Sequence, residues 1–229
     1  MTDAGVGVEA DANVAAVATA LRNIAPPAVR VGARRIDRSD ERTLADKERQ
    51  SIPAALPKRR AEFASGRALL HELLGISDPI PIGPDRRPVL PAGVRASLAH
   101  DNSIVVAAAS TLPQIHSIGV DIERLAVLEP ETADAIVRDD DIVADPVLAF
   151  VLKEAAYKAW SSLGGEMLEH HDVRVESDLG VFRATIDVAQ VTLEGRYVLV
   201  GNRWLALVVT ELATPRSSLN SWARSDGHR

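Results

Sequence analysis

Two long helical segments, each ended by glycine and each flanked by short apolar strands, are the feature that most constrains the fold. Residues 57–74 begin with proline, which suits a first helical turn, and stop before Gly75. Residues 146–163 also begin with proline and stop before a glycine pair. Because the order of strand, helix and strands occurs twice, the sequence predicts an α+β protein built from two similar halves.

The strand predictions follow from short runs rich in valine, isoleucine and aromatic residues. We expect strands at residues 29–31, 97–98, 104–109, 118–122, 173–175, 181–186, 197–200 and 204–210, the last four forming an antiparallel meander. The predicted domain limits are a flexible leader at 1–12, an N-terminal half at 13–113, a C-terminal half at 114–213 and a mobile tail at 214–229. Two halves in one chain would make a monomer sufficient.

Composition excludes several classes of function. The absence of cysteine removes disulfides, thiolate nucleophiles and cysteine-bound metals. A net charge of −6 does not favour a nucleic-acid partner. We find no signal peptide and no apolar segment long enough to span a bilayer, so we expect a cytoplasmic protein without a membrane partner. The usual glycine-rich nucleotide-binding loops are also absent.

The segment 119–123, Gly-Val-Asp-Ile-Glu, places two acids on one face of a predicted strand. Alternate strand residues point the same way, so Asp121 and Glu123 share a face while Val120 and Ile122 take the other. Two neighbouring carboxylates repel each other unless a cation lies between them. Oxygen ligands suit Mg²⁺, and the alternative is an exposed strand edge with solvated acids.

The second predicted helix carries Lys153, Glu154 and Lys158. Glu154 and Lys158 are four residues apart, the spacing of an ordinary surface ion pair. The functional interpretation makes Glu154 a third carboxylate facing Asp121 and Glu123, with both lysines flanking a phosphate. Only four of 26 basic residues are lysines, and two lie here, which favours positions that need a compact ammonium; coincidence is the alternative.

Two further segments offer phosphate contacts. Ser97 and His100 lie in a turn and strand without the surroundings of a serine nucleophile, so a phosphate-contacting pair fits better than a hydrolase. Arg59 and Arg67 belong to the first long helix, and arginine binds phosphate in a bidentate manner. The alternative for this helix start is a solvated basic surface.

Together and in this order, these segments resemble the Sfp-type 4'-phosphopantetheinyl transferase superfamily. The resemblance runs from about residue 58 to 204 and is closest to the single-chain branch associated with siderophore, polyketide and nonribosomal peptide synthesis. It implies a pseudo-twofold fold of two α+β halves, each with a long helix on a mainly antiparallel sheet. It also implies transfer of 4'-phosphopantetheine from coenzyme A to a serine of an acyl or peptidyl carrier protein.

The resemblance further implies roles for individual residues. Mg²⁺, or alternatively Mn²⁺, would be bound by Asp121, Glu123 and Glu154. Glu154 would act as metal ligand, as base or as both, and Lys158 would hold the α-phosphate and stabilise or protonate the leaving bisphosphate. The coenzyme A contacts would come from Arg59, Arg67, Arg86, Ser97, His100, Lys153 and Lys158.

The sequence departs from the family pattern at several positions. Ala96 replaces a glycine before Ser97, Ala99 replaces a serine or threonine, and Leu90 stands where an aromatic residue is common. These differences leave two alternatives open. One is a non-catalytic homologue that binds coenzyme A or a carrier protein, and the other is a different Mg²⁺-dependent enzyme such as a phosphodiesterase.

Overall fold

The computed structural model describes residues 3–84 and 86–211, with side chains from residue 13 onward. Its helices are α1 (Asp3–Ile24), α2 (Asp46–Gln50), α3 (Pro57–Leu74), α4 (Pro130–Ile136) and α5 (Pro146–Ser162). Short 3-10 helices cover Arg38–Thr43, His170–Asp172 and Asp187–Ala189. No described helix is both long and apolar enough to cross a bilayer.

The described residues contain eight strands, which form two sheets. The strands are β1 (Arg30–Arg35), β2 (Arg95–His100), β3 (Ile104–Ser110), β4 (Ile115–Arg124), β5 (Val173–Asp178), β6 (Val181–Ile186), β7 (Val191–Val200) and β8 (Arg203–Glu211). The first sheet has the order β1-β3-β2 and the second the order β4-β8-β7-β6-β5. Every strand pairing in the two sheets is antiparallel.

Helix α3 covers one face of the first sheet. Proline at its first position lacks the N–H group that a first turn leaves unpaired, and Gly75 ends the helix in the left-handed conformation at φ 66°. Leu69, Leu70 and Leu74 are buried on this face against Val105 and the small residues of β3.

Helix α5 covers one face of the second sheet. Asp145 caps it by accepting a hydrogen bond from the Leu148 amide, and the same carboxylate accepts one from the Trp204 indole of β8. Ala155 and Ala159 lie so close to β4 that a Cβ on Gly119 would be 1.9 Å from the Ala155 carbonyl oxygen. The glycine therefore permits a very short helix–strand distance.

The other faces of the two sheets share one apolar core. Val106 and Ala108 of the first sheet pack in the same cluster as Val120 and Ile122 of β4. Helix α1 completes this layer with Val17, Leu21 and neighbouring side chains. A buried ion pair, Arg203 Nε to Asp101 Oδ2 at 2.6 Å, also joins the two sheets. The two sheets are thus bound to each other through their interior.

The prediction of an α+β protein with long helices packed on antiparallel sheets is confirmed. The sheets differ in size, with three and five strands, and the pseudo-twofold relationship stays a prediction. The expected boundary at 113/114 falls between β3 and β4. Most of the expected leader, residues 3–12, lies within α1, and the expected tail at 214–229 lies outside the described residues.

Candidate active site

A cleft of about 780 Å³ lies between α3 and β2 on one side and β4 and α5 on the other. It gathers most of the side chains that the sequence singles out: Arg59, Arg67, Arg86, Ser97, His100, Asp121, Glu123, Glu154 and Lys158. Charged groups from four distant parts of the chain therefore face a single cavity.

Asp121 and Lys158 form an ion pair in the cleft. The Lys158 ammonium lies 2.5 Å from Asp121 Oδ1 and also donates a hydrogen bond of 3.2 Å to the Val120 carbonyl oxygen. Asp121 is 5% exposed, and burial raises the pKa of its carboxyl although Lys158 opposes the shift. Its second oxygen, Oδ2, is buried and finds no hydrogen-bond donor among the described residues.

Glu123 lies two residues further along the same face of β4. Burial, together with the negative charges of Asp121 and Asp101, raises the pKa of its carboxyl to about 7. Val120 and Ile122 point into the shared core, so the alternation expected for this strand is present. The cleft wall thus holds two acids whose ionised forms a nearby cation would favour.

Glu154 brings a third carboxylate to the cleft from α5. After burial, the negative charge of Glu154 is a further cause that raises the pKa of the Asp121 carboxyl. Within the described parts of the chain, however, no three histidine, aspartate or glutamate side chains lie close enough to hold a metal ion as they stand.

The donor set nevertheless fits a hard divalent cation in its chemistry, since it contains three carboxylates, one of which has a buried oxygen without a hydrogen-bond donor among the described residues. Lys158 supplies the positive charge beside Asp121 in this arrangement. A cation shared by all three acids requires side-chain movement within the cleft.

The opposite end of the cleft is basic. Arg59 Nη1 lies 3.1 Å from His100 Nε2, and both side chains approach Glu62, at 3.4 and 3.6 Å. Arg67 is buried, donates from Nε to the Ile80 carbonyl oxygen at 2.5 Å, and lies over the Phe63 ring. Burial lowers the pKa of Arg67 to about 10, so it remains charged at neutral pH.

Ser97 lines the cleft but also has a structural contact. Its hydroxyl oxygen accepts a hydrogen bond of 3.0 Å from the Val120 amide, which links β2 of the first sheet to β4 of the second. Arg87 makes a second link across the cleft, because its guanidinium donates to the carbonyl and hydroxyl oxygens of Ser161 at the end of α5.

Lys153 does not line the cleft, in contrast to the expectation that it contacts coenzyme A. Its side chain is 1% exposed, and its ammonium lies 2.7 Å from Asp141 Oδ2 and 2.7 Å from the Ile136 carbonyl oxygen. Desolvation lowers the pKa of this lysine. The side chain anchors the segment after α4 to α5, and the buried carboxylate explains why it turns away from the cleft.

Two cleft residues and one residue beside the cleft received no catalytic or ligand-binding role from the sequence. Glu62 is buried among the basic groups, and its position between Arg59 and Phe63 was the only available signal. Tyr157 lines the cleft between the two cleft-facing charges of α5. His170, with Nε2 at 3.4 Å from Glu154 Oε1, comes from a segment without any recognisable pattern.

Comparisons with known proteins agree with this geometry. A family model described as the 4'-phosphopantetheinyl transferase N-terminal domain matches residues 47–110. The chain is 33% identical over 195 residues to 4'-phosphopantetheinyl transferase Svp of Streptomyces mobaraensis, covering 74% of this chain and 78% of the relative. It is 30% identical over 183 residues to 4'-phosphopantetheinyl transferase Npt of Nocardia iowensis, covering 69% and 82%. The chain therefore belongs to the Sfp-type 4'-phosphopantetheinyl transferase superfamily.

Proposed function

We propose that this enzyme transfers 4'-phosphopantetheine from coenzyme A to a serine of an acyl or peptidyl carrier protein in a divalent-metal-dependent reaction. Adenosine 3',5'-bisphosphate is the second product. The carrier would belong to a siderophore, polyketide or nonribosomal peptide pathway, and the enzyme would act as a cytoplasmic monomer.

One observation carries the metal-dependent part of the proposal: the Asp121 oxygen Oδ2, buried in the cleft without a hydrogen-bond donor among the described residues. An unpaired carboxylate oxygen in such a place is costly. Glu123 and Glu154 line the same cavity. Mg²⁺, or alternatively Mn²⁺, held by these three acids would neutralise charge on the pyrophosphate of coenzyme A.

The protein side chains account for the remaining steps. The serine oxygen forms a bond to the β-phosphorus while the bond to the bridging oxygen of the pyrophosphate breaks. Glu154 is the carboxylate that would take the serine proton, since it lines the cleft from α5. Lys158, already beside Asp121, would offset the charge that develops on the leaving bisphosphate.

The basic end of the cleft supports binding of the nucleotide part of coenzyme A. Arg59, Arg67 and His100 converge there, and a 3'-phosphate would compete with Glu62 for Arg59 and His100. Arg86 also lines the cleft and would add charge at this end. The Ser97 hydroxyl would donate a hydrogen bond near the nucleotide while its oxygen still accepts the hydrogen bond from the Val120 amide.

The test is incubation of the protein with coenzyme A, Mg²⁺ and an apo-carrier protein. We expect the carrier to gain the mass of one phosphopantetheine group and adenosine 3',5'-bisphosphate to be released. Removal of divalent metal by a chelator should stop transfer, and a carrier whose acceptor serine is replaced by alanine should stay unmodified. Binding of coenzyme A without transfer would contradict the proposal.

A substitution at Asp121 tests its proposed role as a metal ligand. Asp121→Asn should lower metal-dependent turnover by at least about 100-fold, because the amide keeps the size but loses the charge of the carboxylate. Asp46→Asn is the matched control, since the Asp46 side chain is 89% exposed on α2 and outside the cleft. Near-normal turnover of Asp121→Asn would refute the assignment.

A further inference from the structure

The side chains of α5 do not pair in the way that their spacing suggests. Glu154 and Lys158 have the separation of a helical ion pair, yet the Lys158 ammonium lies on Asp121 at 2.5 Å. The Glu154 carboxylate instead faces His170, whose Nε2 is 3.4 Å from Oε1. The histidine that contacts Glu154, the proposed base, thus comes from outside the helices and strands that form the cleft.

The His170 ring has a second contact on the same helix face. Phe150 lies one turn before Glu154, and its ring centroid is 5.3 Å from that of His170 with the planes inclined by 52°. Phe150 and Glu154 both line the cleft. The imidazole therefore packs against the aromatic ring while its nitrogen reaches the carboxylate, which restricts the orientation of the imidazole.

The backbone that carries His170 is tethered on both sides. The Glu169 amide donates to Asp172 Oδ2 at 2.7 Å, which closes the short 3-10 helix. The His171 ring lies 2.8 Å from the Asp134 carbonyl oxygen of α4, and Arg138 donates to the His171 carbonyl oxygen at 2.8 Å. These bonds fix the turn to α4 and to the segment that follows α4.

We propose that His170 is a positioning residue that restrains the Glu154 carboxylate in the orientation needed to accept the serine proton. The inference rests on the proposed function, in which Glu154 is the base. A free glutamate side chain samples several rotamers, and a contact to one of its oxygens reduces that freedom. His170 itself touches neither coenzyme A nor the carrier in this role.

The experiment compares three variants by steady-state transfer. His170→Leu keeps an apolar contact with Phe150 but removes the nitrogen, and should lower kcat about 10-fold while KM for coenzyme A and carrier stays within about twofold. His170→Gln keeps a donor and should recover kcat to within about threefold of the wild-type value. His116→Leu, the same change at a histidine on β4 that does not pair with Glu154, should leave kcat unchanged.

A second measurement does not depend on turnover. In metal-free protein, Glu154→Gln should shift the imidazole ¹⁵N resonances of His170 but not those of His116. A wild-type kcat for His170→Leu, a loss confined to KM, or failure of His170→Gln to recover activity would overturn the inference. If the wild-type chain transfers nothing, the proposed function falls, and an unchanged His170 resonance would separately refute the contact.

Discussion

Replacing Gly119 with alanine tests whether the close packing of α5 on β4 sets the position of Lys158 relative to Asp121. The new Cβ would lie 1.9 Å from the Ala155 carbonyl oxygen and 2.7 Å from the Ala159 amide nitrogen. Both contacts are with backbone atoms, so no side-chain rotation relieves them. The shorter distance must grow by about 1.1 Å to reach 3.0 Å, the closest approach that Cβ atoms make.

Separating α5 from β4 by this distance should lower both the stability and the activity of the protein. Overpacking costs about 1–3 kcal/mol in most cores, and we expect the upper end, about 3 kcal/mol, because two backbone segments must separate. A displacement of about 1 Å between Lys158 on α5 and Asp121 on β4 should also lower kcat about 100-fold. Urea denaturation followed by circular dichroism measures the first effect, and mass spectrometry of the carrier measures the second.

Gly66→Ala provides the matched control for stability. A Cβ at Gly66 would lie 3.6 Å from Leu98 Cδ1, an ordinary contact, in the interior of α3. Removing a helical glycine there should raise the free energy of unfolding by up to about 1 kcal/mol. If Gly119→Ala matched the wild type in both unfolding and turnover, the helix–strand distance would not govern the site and the reasoning would be wrong.

Three more predictions concern charged groups. The pKa of the Glu123 carboxyl is raised to about 7 in the folded state. Between about pH 5 and 7 the folded state therefore binds more protons than the unfolded state, so the unfolding free energy of metal-free protein should fall as the pH rises through this range. Glu123→Gln should remove that part of the slope in urea titrations, and an identical slope would contradict the assignment. Lys158→Arg should lower turnover at least about 10-fold because a planar guanidinium cannot replace the ammonium at 2.5 Å from Asp121; an equal rate would refute this. Lys153→Met should lower the unfolding free energy by about 3–5 kcal/mol, because Asp141 would stay buried without its cation. The kcat/KM per folded molecule should be retained. A raised KM for coenzyme A would instead show that Lys153 contacts this ligand.

Local signals made much of the fold predictable. Proline at the start and glycine after the end mark α3 and α5, and the observed ends differ from the predicted ones by at most one residue. Helix α1 was missed, since its sequence lacks such markers and its buried residues, Val17 and Leu21, are recognisable only through the core they complete. Helix α1 packs into the core that both sheets share, so it is recognised only from the tertiary fold.

The two lysines of α5 illustrate which features of the site the sequence alone does not predict. Residues five apart on a helix point about 140° away from each other, so Lys153 and Lys158 cannot both face one cleft. Which of them does so depends on Asp141, a partner from another segment that no local pattern identifies. The contact of His170 with Glu154 is likewise a product of the tertiary fold.

The apolar layer shared by both sheets limits how a ligand can enter. Rocking one wall of the cleft away from the other would bring side chains such as Val106, Val120 and Leu205 into water, at about 1.5–3 kcal/mol for each fully exposed side chain. Hinge opening is therefore far more expensive than a rotamer change at the rim. A ligand would therefore enter between walls that stay fixed to each other, and the hydrogen bond from Arg87 to Ser161 spans a cleft of nearly constant width.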